Sequence, residues 1–549
     1  MKMPFFAGRA RAGAAPAPFA KRKADNTRLS LLLLFPLLFL ALLVGAVAGL
    51  DSPVLLVIVS GAIFAMLAFF LVNANLLLHL LFLVTFVIQG SALYFFGLRS
   101  ATWIAVGMAG LFGMRTFMDL VVKSRQQRRG AAREGRPVTL VMLPFFAYLL
   151  CYMVSIVLNR PSAGQLMSAL KSNLPVFGVL LSFYWFAWRP VTLERLWQSL
   201  IWIGVLQLPV VLYQHFFVST KRDNGFDSVV GTFGGTPLGG GLSSMLVLFI
   251  VAVSVYALAR WNRGLMSRPL ALLVFAIGLA VILLGEVKAA FIWLPLGVFI
   301  VLRQRIMKNL FSVIAYGILA VAMLGSIYFV YNALYWGQTL NHSKGLEGKL
   351  DAGGGYFFDT HNVNYLTGEI SRGASLALWA KDATASIPKR LLGYGPGASK
   401  SSSSIGGSGV IARRFAPLNV DATALAVLLW DVGVLGAAAY SMMAVGGVIL
   451  GWRYMRRGQG SAAQMAIVEA SVAVLVIYVS LLIYNRTMLD EPTVQLLYLF
   501  CLGSVVQACR YGQETAEEPA AQAQADAPAQ PRRRVAAAAG AMRWSTHGE

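Results

Sequence analysis

Runs of about 20 apolar residues recur along most of the 549-residue chain, and they constrain its fold more than any other feature. A helix of that length rises about 30 Å, the thickness of a bilayer's hydrocarbon core. Hydrocarbon offers no water to satisfy peptide N–H and C=O groups, so only helices and closed barrels cross it. Barrel strands of about 10 residues are too short to account for these runs. The sequence therefore predicts an all-α fold, a polytopic transmembrane helical bundle of about 12–14 spans. Candidate spans lie near 29–50, 53–73, 76–97, 101–122, 138–158, 170–188, 194–217, 242–260, 269–285, 287–302, 309–332, 422–450, 463–484 and 491–509. With 58% apolar and 13% charged residues, a soluble globule is excluded.

A net charge of +23 raises the question of a nucleic-acid partner. The basic residues, however, sit in short loops between spans, where the positive-inside bias puts them, so no nucleic acid is expected. Counted from a cytoplasmic N-terminus, five basic loops fall on one side: Arg125/Arg128/Arg129, Arg189/Arg195, Arg260/Arg263/Arg268, Arg303/Arg305/Lys308 and Arg453/Arg456/Arg457. A wrong helix count would scramble that alternation. The expected layout is a basic cytoplasmic tail at 1–28, N-terminal transmembrane helices over 29–332 and one large loop at 333–421 on the far face. C-terminal transmembrane helices follow over 422–509, then a disordered cytoplasmic tail at 510–549 rich in Ala, Gln, Pro and Glu. The first run is too long for a signal-peptide core and reads as a retained helix. Cys151, Cys501 and Cys509 fall in or at the ends of apolar runs and read as buried thiols, with no zinc or disulfide pattern.

Four polar segments then face the far side: 218–241, the tight turn at 285–288, the loop 333–421 and 485–491. Charge is sparse in this chain, so charge kept at helix mouths on one face points to a site. The basic candidates are Arg222, Lys288, Arg372, Arg413, Arg414 and Arg486; the proton-handling candidates are Asp421 and Glu286, with His361 a third. Each has an ordinary alternative: a solvated loop charge, a helix N-cap for Asp421, an ion-pair partner of Lys288 for Glu286. The glycines of GlyTyrGlyProGly at 393–397 either bring backbone N–H groups close to a ligand or make a tight turn. Trp336, Trp379 and Tyr394 either stack on sugar rings or form the aromatic belt of a membrane surface.

Several of these parts occur in a telling order. They are Gly231-Thr232-Phe233-Gly234-Gly235 before a span, Arg372 followed by Leu376 and Trp379, GlyTyrGlyProGly at 393–397 after Pro388, and Asp421 leading into a span with Gly433-Val434-Leu435-Gly436. This order resembles the O-antigen ligase / Wzy polymerase superfamily, integral-membrane glycosyltransferases that use undecaprenyl-diphosphate-linked glycans. Residues 225–450 carry the resemblance, and Glu286-Val287-Lys288 stands where members commonly carry a basic residue at a span start. The resemblance implies a bacterial inner-membrane protein with both termini cytoplasmic and the long loop periplasmic. It implies no metal or nucleotide cofactor, a lipid-linked glycan donor and acceptor as partners, contact with membrane lipids, and a chain-length regulator as a further partner. Ligases of the superfamily carry a His-Asn pair, nine residues, then Gly-x-x-Gly; counting back from Gly433 lands on Ala422 and Thr423. A polymerase is therefore expected over a ligase. A lipid-linked glycan flippase is the alternative of another class, but it would place charge deep in several spans, and most mid-span positions here are apolar.

The implied chemistry suits these residue types. Transfer from a lipid diphosphate cleaves an anomeric C–O bond whose leaving group is already a charged anion, so the protein must mainly hold that diphosphate. Arginine's planar fork does this, which puts Arg372 first, with Lys288, Arg222, Arg413, Arg414 and Arg486 as further phosphate contacts. Asp421 or Glu286 would take the acceptor hydroxyl's proton. Trp379, Tyr394, Gly395 and Gly397 would contact the substrate.

Overall fold

The computed structural model describes residues 72–98, 101–127, 138–218, 228–235, 242–285, 287, 289–331, 358–401, 407–458 and 460–512. The chain divides into two compact units, Met1–Leu77 and Leu78–Glu549. Of the first only 72–77 are described, and the account below concerns the second. The expected spans 29–50 and 53–73 and the tails 1–28 and 513–549 therefore lie outside, apart from residues 72 and 73.

Among the described residues the protein is an all-α polytopic bundle with no strand beyond one isolated bridge, Val363 to Ile370. In chain order the helices are α1 (Ala74–Phe96, with a π turn at Val84–Ile88), α2 (Ala101–Gln127), α3 (Thr139–Asn159), α4 (Ala163–Asn173), α5 (Phe177–Trp185) and α6 (Pro190–Val218, ending in a π turn). Then come α7 (Ser243–Asn262), α8 (Arg268–Leu284), α9 (Ala290–Ile306), α10 (Leu310–Tyr331), α11 (Arg372–Ala380), α12 (Ile387–Leu392) and α13 (Val410–Arg414). The last four are α14 (Ala424–Arg457), α15 (Ala462–Tyr484), α16 (Thr487–Asp490) and α17 (Pro492–Tyr511).

Each expected span from 76 onward is helical, yet only eight helices among the described residues are long and apolar enough to cross a membrane, nine if α4 and α5 count as one. That pair, expected as a single span at 170–188, is bent by 52°. Pro175 explains the break, since it has no N–H to continue the helical ladder and its ring crowds the carbonyl four residues back. α8 and α9, at 17 residues each, are the short members. The last helix also runs to Tyr511, past the expected boundary at 509.

α7, α15 and α17 form the centre and are buried nearly all round, whereas α10 exposes most of its apolar surface. Glycines let the helices close up: a Cβ on Gly446 of α14 would stand 2.1 Å from the carbonyl oxygen of Leu140 in α3.

The basic loops that the structure describes gather at one end of the bundle, while Arg128, Arg129 and the Arg125 side chain lie outside the described residues. Arg260 pairs with Glu194 at 2.7 Å, Arg263 with the fully buried Glu469 at 2.5 Å, and Arg303 stacks on Trp452 at 4.7 Å. Lys123 donates to the carbonyl of Trp185 at 2.6 Å, which brings the end of α2 to the same place. At the opposite end the N-terminus of α14 meets the C-terminus of α15, where Ala424 N donates to Asn485 O at 3.0 Å. Asn485 Nδ2 reaches Ser244 Oγ at the start of α7, also at 3.0 Å. The short helices α11 to α13 sit on this second end, α12 packed on α14.

Candidate functional site

At this second end the chain gathers its ionisable side chains around Asp421. The start of α14 is capped by Thr423, whose Oγ1 accepts from Ala426 N at 3.1 Å, so Asp421 is not the N-cap. Asp421 is 2% exposed; its Oδ2 accepts from Arg486 Nη1, while its Oδ1 has no hydrogen-bond partner among the described residues. Arg486 Nε lies 3.3 Å from Asp490 Oδ2, and Lys400 Nζ lies 2.5 Å from Asp490 Oδ1. The result is a row of alternating charge, Asp421, Arg486, Asp490, Lys400, with half-buried Glu491 adjoining it. Burial pushes the Asp421 carboxyl above the ordinary aspartate range, against the opposing pull of Arg486. Burial and then the Asp490 charge push Glu491 up to about 7, with Lys171, Arg486 and Lys400 opposing. A buried carboxylate whose pKa is raised, with one oxygen left unpartnered among the described residues, is suited to accept a proton.

Arg372 is brought to the same place. Ser371 caps α11, its Oγ accepting from Ala374 N at 3.0 Å, and fixes Arg372 in the first turn. Arg372 Nε donates to Tyr484 O at 2.9 Å, two residues before Arg486, and its guanidinium lies 5.9 Å over the Tyr484 ring. One turn along α11, Ser375 Oγ donates to Val420 O at 2.7 Å, the residue before Asp421. The two residues singled out by the resemblance, far apart in sequence, are thus tied to the same backbone.

Of the two readings of the 393–397 glycines, the tight turn is the one observed, and their N–H groups meet protein acceptors, not substrate. Gly397 N and Ser399 N donate to the carboxylate of Asp431 at 2.7 and 2.9 Å, so a protein acid occupies the Gly397 donor that was expected to face a phosphate. Tyr394 N and Gly395 N donate to the carbonyls of Trp430 and Asp431 at 2.8 and 3.1 Å. Those carbonyls are available because α14 is broken at Gly433, whose φ of 69° and ψ of −173° are not helical. Gln165 Nε2 holds Pro396 O at 3.2 Å, and Gly395 abuts Asn159, where a Cβ would come within 2.9 Å. The motif glycines serve close packing between this turn and the spans, and the turn delivers Lys400 to Asp490.

Arg414, Tyr394 and Trp379 are engaged in the loop's own structure. Arg414 forks onto the buried Asp382 at 2.6 and 3.1 Å, Tyr394 Oη donates to it at 3.0 Å, and Thr384 contributes its N–H and hydroxyl at 3.1 and 2.8 Å. Trp379 packs against the cluster of Ala398, Ile411, Val420 and Trp430. Burial alone would raise the Asp382 carboxyl, but the Arg414 fork and the Thr384 and Tyr394 donors together hold it well below the usual range. A depressed folded pKa gives stability that is present above the unfolded value of about 4 and lost as pH falls through the folded one. Asp382→Asn is therefore expected to cost about 2 kcal/mol of loop stability at neutral pH. Hydrogen exchange over residues 379–415 checks it: the parent should lose protection on acidification below about pH 4, the variant at neutral pH already.

Of the remaining candidates, Arg413 is exposed at the end of α13, and His361 is 83% exposed beside Asp359. Glu286, Lys288, Arg222 and Trp336 lie outside the described residues. The Gly231-Thr232-Phe233 stretch is buried and clamped by two glutamines of α6. Gln207 exchanges two hydrogen bonds with Thr232 at 2.9 Å each, and Gln214 accepts from Gly231 N at 2.7 Å and donates to Gly231 O at 2.8 Å. Sequence reading passed over Asp382, Lys400, Asp490, Glu491 and Asp431. A carboxylate inside an apolar run is itself a signal, and it would have found Asp431.

No protein-family model matches the chain, and no curated protein matches it in sequence.

Proposed function

We propose that this chain is an integral-membrane glycosyltransferase that polymerises undecaprenyl-diphosphate-linked repeat units on the periplasmic face of a bacterial inner membrane. The observation that carries the reading is that Arg372 and Asp421 both reach the 484–486 segment, Arg372 through the Tyr484 carbonyl and Asp421 through the Arg486 guanidinium, while Ser375 of α11 bonds the residue before Asp421. A buried carboxylate beside a guanidinium, with one oxygen unpartnered among the described residues, is what the reaction needs. The cations hold the diphosphate as charge leaves the anomeric carbon, and the carboxylate takes the acceptor hydroxyl's proton. The sugar–phosphate C–O bond breaks, its electrons leave with undecaprenyl diphosphate, and the acceptor oxygen forms the new glycosidic bond. The row's remaining members have positioning roles: Asp490 orients Arg486, and Lys400 anchors Asp490. Ala422 and Thr423, where ligases place His and Asn, favour repeat-unit polymerisation over transfer to a lipid A core.

The test is reconstitution. Purified protein in proteoliposomes, given lipid-linked single repeat units, is expected to release undecaprenyl diphosphate and build glycan ladders. Cells lacking the protein should accumulate single lipid-linked units. Long chains stranded on the lipid carrier would instead assign ligation, and an inert protein with unchanged glycans would end the glycosyltransferase reading.

A further inference from the structure

The opposite, basic end carries a second feature that the reading above does not use. Between the first turn of α3, the last turns of α14 and the end of α17 lies a cleft of about 180 Å³ lined by Val138, Thr139, Leu140, Leu450, Arg453, Tyr454, Arg457 and Cys509. Most cations around it already have protein partners. Arg260 has Glu194, Arg263 and Arg303 have Glu469, Arg305 lies 4.3 Å over Trp261, and Arg510 lies 4.4 Å over Tyr184. Arg453 and Arg457, one turn apart on α14, have no hydrogen bond, ion pair or ring contact among the described residues. Two guanidinium groups thus stand over a cleft whose lining, among the described residues, includes no carboxylate. Thr139 adds a hydroxyl to the lining and opens α3, and Val138 before it makes no side-chain cap.

Depth in the membrane tells what kind of anion reaches the cleft. α14 is broken at Gly433, and from there to Arg453 it rises about 30 Å at 1.5 Å per residue, the thickness of the hydrocarbon core. With the break at one membrane surface, Arg453 and Arg457 stand at the other, at the level of the head groups. Trp452 and Tyr454 beside them are the residue types that favour that level. The cleft opens between helices, so a head group can enter it while its acyl chains stay alongside the exposed apolar faces of α3 and α14, such as Leu143 and Val445.

We propose that this cleft binds the phosphate group of an anionic phospholipid, held by Arg453 and Arg457 with Thr139 as a further donor. Arginine forks match phosphate oxygens, and basic pockets between helix ends at a membrane surface are suited to such head groups. The proposal stands apart from the glycosyltransferase reading, since it uses no residue of that site.

The test uses the full chain purified in a neutral detergent, with thermal unfolding and native mass spectrometry read against added phosphatidylglycerol, phosphatidylcholine or inorganic phosphate. Phosphatidylglycerol is expected to stabilise the parent and to be retained in the gas phase; phosphatidylcholine and millimolar inorganic phosphate are not. R453Q/R457Q should bind phosphatidylglycerol about 30-fold more weakly, at roughly fivefold per arginine. R453K/R457K should recover part of the binding. Both positions are exposed, so the lipid-free variants should melt with the parent. Removal of two cations elsewhere on this end, R195Q/R268Q, should leave binding near the parent's. Equal loss in that control would reduce the effect to unspecific attraction and overturn the site. Stabilisation by inorganic phosphate equal to that by the lipid would assign a soluble anion and overturn the lipid.

Discussion

Asp421→Asn is expected to lower polymer synthesis by about 100-fold to 10,000-fold, the range over which a positioned general base contributes, while leaving expression and donor binding near the parent's. The amide keeps the shape of the side chain but cannot take a proton. Before the fold was known, the same substitution would have been silent if Asp421 merely capped α14, because Asn and Asp cap about equally well. Thr423 does the capping, so that alternative is gone. Stability should not explain the loss. Burial raises the folded pKa of Asp421, so its favourable contribution is complete below the unfolded pKa and declines as pH rises through the folded one. A neutral amide carries no such burden, and Arg486 keeps Asp490 at 3.3 Å. The parent's rate should fall on acidification through the raised Asp421 pKa, since only the carboxylate accepts the proton. Synthesis by purified Asp421→Asn at close to the parent rate would defeat the base assignment. Glu491, whose carboxyl is pushed up to about 7, would then be the next residue to test.

What could be read ahead of the structure follows from which forces are local. A membrane span is written in consecutive residues, so each run expected within the described residues is helical, and the described basic loops lie at one end because charge and topology are linked along the chain. Arg372 and Asp421 were legible through motif order. The partners that give them meaning were not: Arg486 reaches Asp421 across 65 positions, and Lys400 reaches Asp490 across 90. Tyr394, Gly397 and Arg414 looked like ligand contacts because polar and glycine-rich loop residues carry no mark of what they face. Their partners, Asp431 and Asp382, became visible only when the loop was folded onto the spans. The 170–188 run is bent by 52° rather than straight, because hydropathy cannot sense how Pro175 interrupts the backbone.

The largest structural effect is expected at two facing glycines. Gly393 sits at φ 76° and ψ −173°, Gly433 at φ 69° and ψ −173°, a region that side chains with a Cβ essentially do not occupy. Each also faces backbone: a Cβ on Gly393 would lie 2.4 Å from the Asp431 carbonyl, and one on Gly433 would lie 2.4 Å from the Leu391 carbonyl. Backbone cannot rotate aside as a side chain can. Strain and overpacking therefore add, and either alanine should cost about 4 kcal/mol. Gly458→Ala is the control: its φ of 64° is also left-handed, but nothing lies within 4 Å of the added carbon, so about 1 kcal/mol is expected. The consequence should reach the site. Freeing the 393–399 turn from Asp431 withdraws Lys400 from Asp490, loosens the hold on Arg486, and so lowers activity along with stability. Hydrogen exchange should report lost protection at 393–400 and at the first turns of α14 in both variants. The double variant should cost clearly less than the sum, because both substitutions break one contact. Full additivity, or parent-like protection in Gly393→Ala, would show that the turn is not held to the break in α14 in the way described.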